Sequence, residues 1–160
     1  MGNSIARSYL WRSEAADECS QCADDFGVPI ELLDGGRLPA RASAGAAGFD
    51  LCSAVELTLA PDGCYVAVPT GVKVGMCAES VTKFTTLKAE IRSRSGLSKK
   101  GIDVYHGLID SDFLGEIMIL IKNNTRVPFE IRKGDRIAQL VFGMALVPDL
   151  DVVDSVAALM

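Results

Sequence analysis

Four polar segments interrupt an otherwise apolar chain, and each holds residue types suited to a charged ligand. The first is Ala47-Gly48-Phe49-Asp50-Leu51, with an aspartate just inside a strand-like run. A carboxylate there needs a charge partner or a site to face; otherwise it caps a turn after the small residues 42–47. The second, Arg94-Ser95-Gly96-Leu97-Ser98-Lys99-Lys100-Gly101, predicts one turn of helix. Ser95 would be its N-cap, the lysines lie near its C-terminal end, and Gly101 would stop it. A helix start opening on Ser-Gly beside Arg94 also offers N–H groups and positive charge to an anion, so a phosphate site and a plain turn of helix are both open readings. The third, Gly107 to Glu116 (GLIDSDFLGE), puts three acids, one aromatic ring and two glycines into a predicted β-hairpin. A ligand could approach its backbone closely, or its acids could be ordinary turn residues. The fourth is Lys133-Gly134-Asp135-Arg136-Ile137-Ala138-Gln139-Leu140. Its first three residues make a turn, while Arg136 and Gln139 could donate to phosphate or decorate an edge strand.

Strands must position these segments. Leu87, Ala89 and Ile91 alternate with Lys88, Glu90 and Arg92, the period of a half-buried strand. Val55, Leu57 and Leu59 alternate with Glu56 and Thr58, and Phe129 and Ile131 with Glu130 and Arg132. The continuous apolar runs Ile117 to Ile121 and Ile137 to Phe142 predict strands buried on both faces. Turn chemistry divides them at Asp34-Gly35-Gly36, Pro61-Asp62-Gly63, Pro69-Thr70-Gly71, Asn123-Asn124 and Lys133-Gly134-Asp135. Short strands, close turns and almost no helix predict an all-β sandwich, jelly roll or small barrel. Residues 28–155 form this β domain. Residues 1–27, polar and acidic from Ser13 to Asp25, form an N-terminal extension, either a short helix or a loose tail; 156–160 are a short tail.

At 160 residues and 49% hydrophobic the chain suits one domain with a real core. Its apolar runs are too short to span a bilayer, and the start MGNSIARSYLWR lacks a signal-peptide core. Ala6 stands where a myristoylation signal needs Ser or Thr. The expectation is a soluble protein without membrane contact, cytoplasmic or, if viral, in the host cell interior. A net charge of −5 argues against a nucleic-acid groove. Of five cysteines, Cys52, Cys64 and Cys77 sit in or beside apolar runs and read as reduced, core-filling thiols. Cys19 and Cys22 form a CxxC pair without further zinc ligands near it, since the single histidine, His106, is far along the chain, and the pair reads as incidental.

In this order and spacing, AGFDL, RSGLSKKGI, GLIDSDFLGE and KGDRIAQL resemble the first four of the five motifs of the trimeric dUTPase family. Ile30-Glu31-Leu32-Leu33 through Leu38-Pro39 and the Val68-Pro69-Thr70-Gly71 turn are similar to it too, so the resemblance runs from Val28 to Val153. It implies a distorted jelly-roll or β-clip subunit with one short helix, assembled as a homotrimer with sites at subunit interfaces. It implies Mg2+-dependent hydrolysis of dUTP to dUMP and pyrophosphate, which clears dUTP and supplies dUMP. Asp110 would orient and deprotonate the attacking water. Arg94, Ser95, Gly96 and Gln139 would cradle phosphates, with Arg136 a supporting pair partner for an acid. Asp50 would meet the water shell of a metal that has no direct protein ligand. The predicted hairpin from Val104 to Phe113, with Tyr105, Gly107 and Ile109, would read uracil through its main chain. The Phe113 ring would lie on the deoxyribose and exclude a 2′-hydroxyl.

The chain departs from the family pattern at named places. Phe113 holds a position usually occupied by tyrosine, Ser93 one usually occupied by proline, and Tyr105 and His106 stand where small residues are common. The fifth motif, a glycine-rich arm with Arg and Phe, is not among the 160 residues, which finish DVVDSVAALM. Without that arm an open, slower site is expected. A dCTP deaminase relative is one rival; its helix start reads Arg-Ser-Ser and it needs a glutamate on the following strand, against Arg94-Ser95-Gly96 and Met118-Ile119-Leu120 here. A non-enzymatic interaction module on the same core is another, favoured by the missing arm and opposed by the intact Asp50, Ser95, Asp110 and Gln139.

Overall fold

The computed structural model describes residues 27–76, 84–155 and 157. The expectations for residues 1–26, including Cys19 and Cys22, and for Cys77 lie outside these residues. The described chain is built from twelve strands and one four-residue helix. They run β1 (Ile30–Leu32), β2 (Ala40–Arg41), β3 (Phe49–Cys52), β4 (Leu57–Leu59), β5 (Val66–Pro69), β6 (Val72–Val74) and β7 (Thr85–Arg92), then α1 (Ser95–Ser98). After it come β8 (Ile102–Val104), β9 (Leu108–Ile109), β10 (Met118–Asn123), β11 (Phe129–Ile131) and β12 (Arg136–Leu146). The all-β expectation holds.

Every strand pairing is antiparallel. The largest sheet has the order β2-β3-β12-β7-β9, and a three-stranded sheet the order β5-β10-β8; β1 pairs β6 and β11 pairs β4. The long strand β12 is the spine, with β3 on one edge and β7 on the other. Its run from Ile137 reads as expected at Ile137, Ala138 and Leu140, all buried, while Val141 and Phe142 are half-buried. The alternation along β7 also holds: Leu87, Ala89 and Ile91 enter the core with Leu51, Ile119 and Ile131. Removing these side chains from water is the main drive to bring the sheets together.

Four local expectations are corrected. Val55 is 39% exposed and precedes β4, because the buried Ser53 hydroxyl donates to the Val55 carbonyl at 2.6 Å and bends the chain there. In β10 only one face is buried within the chain: Ile119 and Ile121 are fully enclosed, but Met118 and Leu120 are 42% and 40% exposed. The three-stranded sheet has a single core-facing side, so continuous apolarity does not produce two buried faces. Cys64 is exposed and only Cys52 is half-buried, so core filling describes one of the two described thiols in part. The Val104–Phe113 segment is not a hairpin, since β8 pairs with β10 whereas β9 pairs with β7. Between them the chain crosses from one sheet to the other. Tyr105 N–H still donates to Leu120 O at 2.8 Å, and two residues on Gly107 O accepts from Ile91 N–H at 2.8 Å.

The turn before β6 fixes one end of this framework. Gly71 has φ +67°, and a Cβ on it would lie 2.4 Å from the Gly36 Cα, so two backbones touch where side chains would not fit. The buried Thr70 hydroxyl donates to Ile117 O at 2.7 Å, and the Glu116 carboxylate accepts from Gly71 N–H at 2.7 Å.

Candidate active site

Sheet register brings two of the predicted residues, Asp50 and Gln139, into one row with Arg92. Gln139 of β12 stands opposite Asp50 of β3 on one side and Arg92 of β7 on the other. Directly opposed residues of antiparallel strands share a face, so these three side chains leave the sheet together. Gly48 makes room for the middle one, because a Cβ at 48 would sit 3.2 Å from Gln139 Cβ and 3.4 Å from Oε1.

Asp50 is 6% exposed, and a carboxylate so placed needs charged partners. It has two: Oδ1 accepts from Arg94 Nε at 3.0 Å and Oδ2 from Arg136 Nη1 at 3.0 Å. Arg94 Nη1 also donates to Arg136 O at 2.9 Å, tying the start of α1 to the start of β12. Both carboxylate oxygens accept from guanidinium groups, which makes Asp50 the anchor of two arginines. Two cations on one acid leave a positive excess on this rim. Arg136, with 55% of its side chain exposed, meets solvent there.

The helix start is a correction in detail. Arg94, not Ser95, is the N-cap, and its side chain makes no capping hydrogen bond because it points to Asp50. Leu97 and Ser98 N–H donate to Arg94 O at 2.9 and 3.0 Å, so the two preceding N–H groups, of Ser95 and Gly96, have no acceptor within the helix. Both residues are exposed, and nothing lies within 4 Å of a Cβ built on Gly96. Gly101, with φ +76°, closes the turn as expected.

Asp110, exposed, follows β9 at the far edge of the same sheet. Its carbonyl accepts from Phe113 N–H at 3.1 Å, and the Ser111 hydroxyl lies 3.0 Å from the Thr86 hydroxyl, pinning the turn to β7. Phe113 is 43% exposed, and its ring covers Gly115, where a Cβ would meet Cζ at 2.7 Å. Val104 and Ile109 are buried, so only their main chains could meet a base. The N–H of Tyr105 and the carbonyl of Gly107 are paired inside the chain. β9 is three strands from β3, which separates Asp110 from Asp50 by roughly 14 Å at strand spacing. One chain thus gathers Asp50, Arg94, Arg136, Gln139 and the α1 start, and holds Asp110 and Phe113 apart from them.

Sequence reasoning left Glu90 without a role. It accepts from Lys88 Nζ at 2.6 Å and from Arg92 Nη2, and these hydrogen bonds, Lys88 first, hold its carboxyl below the ordinary carboxylate value. The signal was present in the alternation Lys88, Glu90, Arg92 along one face of β7.

The dUTPase family model matches residues 34–160. Deoxyuridine 5′-triphosphate nucleotidohydrolases are similar to most of the chain. That of cowpox virus is 41% identical over 117 residues, 73% of this chain and 74% of the relative. That of Paramecium bursaria Chlorella virus 1 is 40% identical over 124 residues, 77% of this chain and 82% of the relative. The Solanum lycopersicum protein is 38% identical over 125 residues, 78% and 69% of the two chains. Among solved structures, Staphylococcus bacteriophage 80alpha dUTPase with dUpNHpp superposes with a TM-score of 0.73 at 26% identity, covering 82% of this chain and 90% of that one. A dUTPase mutant from phage phi11 of S. aureus, described for its coordination of a structural Mg(II) ion, gives a TM-score of 0.71 at 25% identity, covering 81% and 98%.

Proposed function

This chain belongs to the dUTPase family and hydrolyses dUTP to dUMP and pyrophosphate, and we propose that the two clusters described above carry out that reaction. The observation behind the residue assignment is the Asp50–Arg94–Arg136 ion cluster, in register with Gln139 and beside two unpaired helical N–H groups. That rim supplies donors of fixed direction and excess positive charge, which suit a triphosphate. Arg94, Ser95, Gly96 and Gln139 form the cradle, and Arg136 supports it through Asp50. Asp110, an exposed carboxylate on a pinned turn, accepts the proton of the water that attacks the α-phosphorus. Water oxygen forms the new P–O bond, the bond to the bridging oxygen breaks, and pyrophosphate leaves. Phe113 offers its face to the sugar.

Among the described residues no group of three His, Cys, Asp or Glu side chains could hold a metal. The Arg94–Asp50–Arg136 cluster and the helix-start N–H groups of Ser95 and Gly96 fit the triphosphate of a nucleotide that brings Mg2+ with it. When bound there, the ion offsets charge on the transferring and leaving groups. Because one chain separates Asp110 from the cradle, the reading requires a second copy, and the assembly is proposed to be the family's homotrimer.

The experiment is pyrophosphate release from dUTP with Mg2+. Asp110→Asn should keep nucleotide binding and lose most turnover, since only the base is removed. Equal turnover in both proteins would refute the role given to Asp110.

A further inference from the structure

The crossing between the two sheets leaves β7 with a donor whose natural acceptor has gone elsewhere. The β7–β9 register pairs Ala89 with Ile109, and Ile91 N–H still finds Gly107 O at 2.8 Å. The next donor on that edge is Ser93 N–H, and continuing the register would place Tyr105 opposite it. Tyr105 has already joined β10. In its place stands the imidazole of His106, whose Nε2 lies 3.3 Å from Ser93 N and 3.3 Å from Ser93 Oγ. Both partners are departures from the family pattern, and the contact requires the first of them, because proline at 93 would have no N–H to donate.

We propose that His106 is a positioning residue. Its ring nitrogen replaces a main-chain acceptor and ties the residue before Arg94 to the turn that leads into Asp110. The loop entering the phosphate cradle and the segment that carries the base side of the site are thereby held at a fixed separation. A shallow cleft of ≈ 220 Å³ lies at this junction, lined by Glu90, Arg92, His106, Gly107 and Leu108, so the ring sits where nucleotide-facing segments meet. Glu90 and Arg92 are the charged groups facing it from β7. The N–H tie uses a neutral ring with its proton on Nδ1; a protonated ring would keep only the Ser93 hydroxyl as partner.

This assignment rests on the dUTP-hydrolysing reading, so its test has one arm that does not use turnover. His106→Ala, Ser93→Pro and the double variant are compared for kcat, KM and amide hydrogen exchange over 94–98 and 107–111. Proline is tolerable at 93 because Arg92 is the last residue of an extended strand. Each single variant should raise KM for dUTP roughly two- to tenfold, the range for one lost hydrogen bond, with kcat nearly unchanged. The double variant should be no worse than the poorer single one, since both remove the same tie. Ser93→Ala, which keeps the N–H, should behave as wild type. Additive losses in the double variant, or folded single variants with wild-type KM, would overturn the proposal. If the wild type does not split dUTP, the reading of the site fails separately. The tie is then decided by exchange: faster exchange of both segments in His106→Ala supports it, and unchanged exchange removes it.

Discussion

Asp50 shows how one buried charge organises a site that individual residues only suggest. Alone, an aspartate inside a strand had two readings, and the structure resolves them by supplying two guanidinium partners at 3.0 Å. Burying the acid without them would cost several kcal/mol, so strand β3, the α1 start and β12 must assemble together. Phe113 belongs to the same scale. Its ring is held by contact with Gly115, not by a hydroxyl, so its role on the sugar is one of shape. Phe113→Ala should narrow the preference for dUTP over UTP by about 1–3 kcal/mol, read as the ratio of kcat/KM values. Equal kcat/KM for UTP and dUTP in the wild type would remove that role. Glu90 carries a pH signature. Hydrogen bonds from Lys88 and Arg92 lower its pKa in the fold, so its stabilising contribution is present above the ordinary carboxylate value and lost as pH falls through the lower folded one. The melting-temperature difference between wild type and Glu90→Gln should therefore be present at neutral pH and shrink under acid. A difference that stays constant down to low pH would contradict the pairing.

Elements are where sequence legibility divides. Strand β7 could be read directly, because Leu87, Ala89 and Ile91 alternate with polar neighbours and period 2 is a local property. Turns at Gly35, Gly71, Gly101 and Gly134 were legible for the same reason, since each glycine adopts the positive φ its turn demands. Partner choice was not legible. The residues from Val104 to Phe113 have the composition of a hairpin, yet β8 and β9 join different sheets, which depends on strands far away in the chain. Nor could the helix cap be read. Ser95 has the better capping side chain, but Arg94 is drawn to the Asp50 carboxylate 44 residues upstream, and that contact sets where α1 begins. The Gly36–Gly71 contact gives a test at this scale. Gly71→Ala would combine a left-handed backbone with a Cβ 2.4 Å from Gly36 Cα, and it should cost at least ~2 kcal/mol in chemical denaturation. A loss below about 0.5 kcal/mol, the usual range of a neutral surface change, would mean that the two loops can separate freely.

For the whole molecule, the decisive feature is the outer face of the β5-β10-β8 sheet. The register sets Leu120 opposite Ala67, and Tyr105 N–H donates to Leu120 O, so these residues form a row flanked by Met118 and Tyr65. Tyr65 and Tyr105 meet edge to face with ring centroids 6.0 Å apart, and Met118, Leu120 and Tyr105 are 42%, 40% and 58% exposed. A contiguous apolar patch of this kind on a sheet face signals contact with another chain. A homotrimer that covers it would bury both faces of the Ile117–Ile121 run, which is what its unbroken apolarity suggests, and would let Asp110 of one copy meet the Arg94–Gln139 cradle of another. Light scattering should then give three times the 17.0 kDa chain mass. Leu120→Glu places a charge in the middle of the row and should yield a folded monomer with dUTP turnover lost. Mixing Asp110→Asn chains with Ser95→Ala chains should restore part of the activity that neither has alone, since some mixed assemblies contain one site with both groups intact. A folded, monomeric Leu120→Glu protein with undiminished turnover would show that a single chain completes the site. The separation of Asp110 from the cradle would then have to close by a movement of the Val104–Phe113 crossing, and the interface account would be wrong.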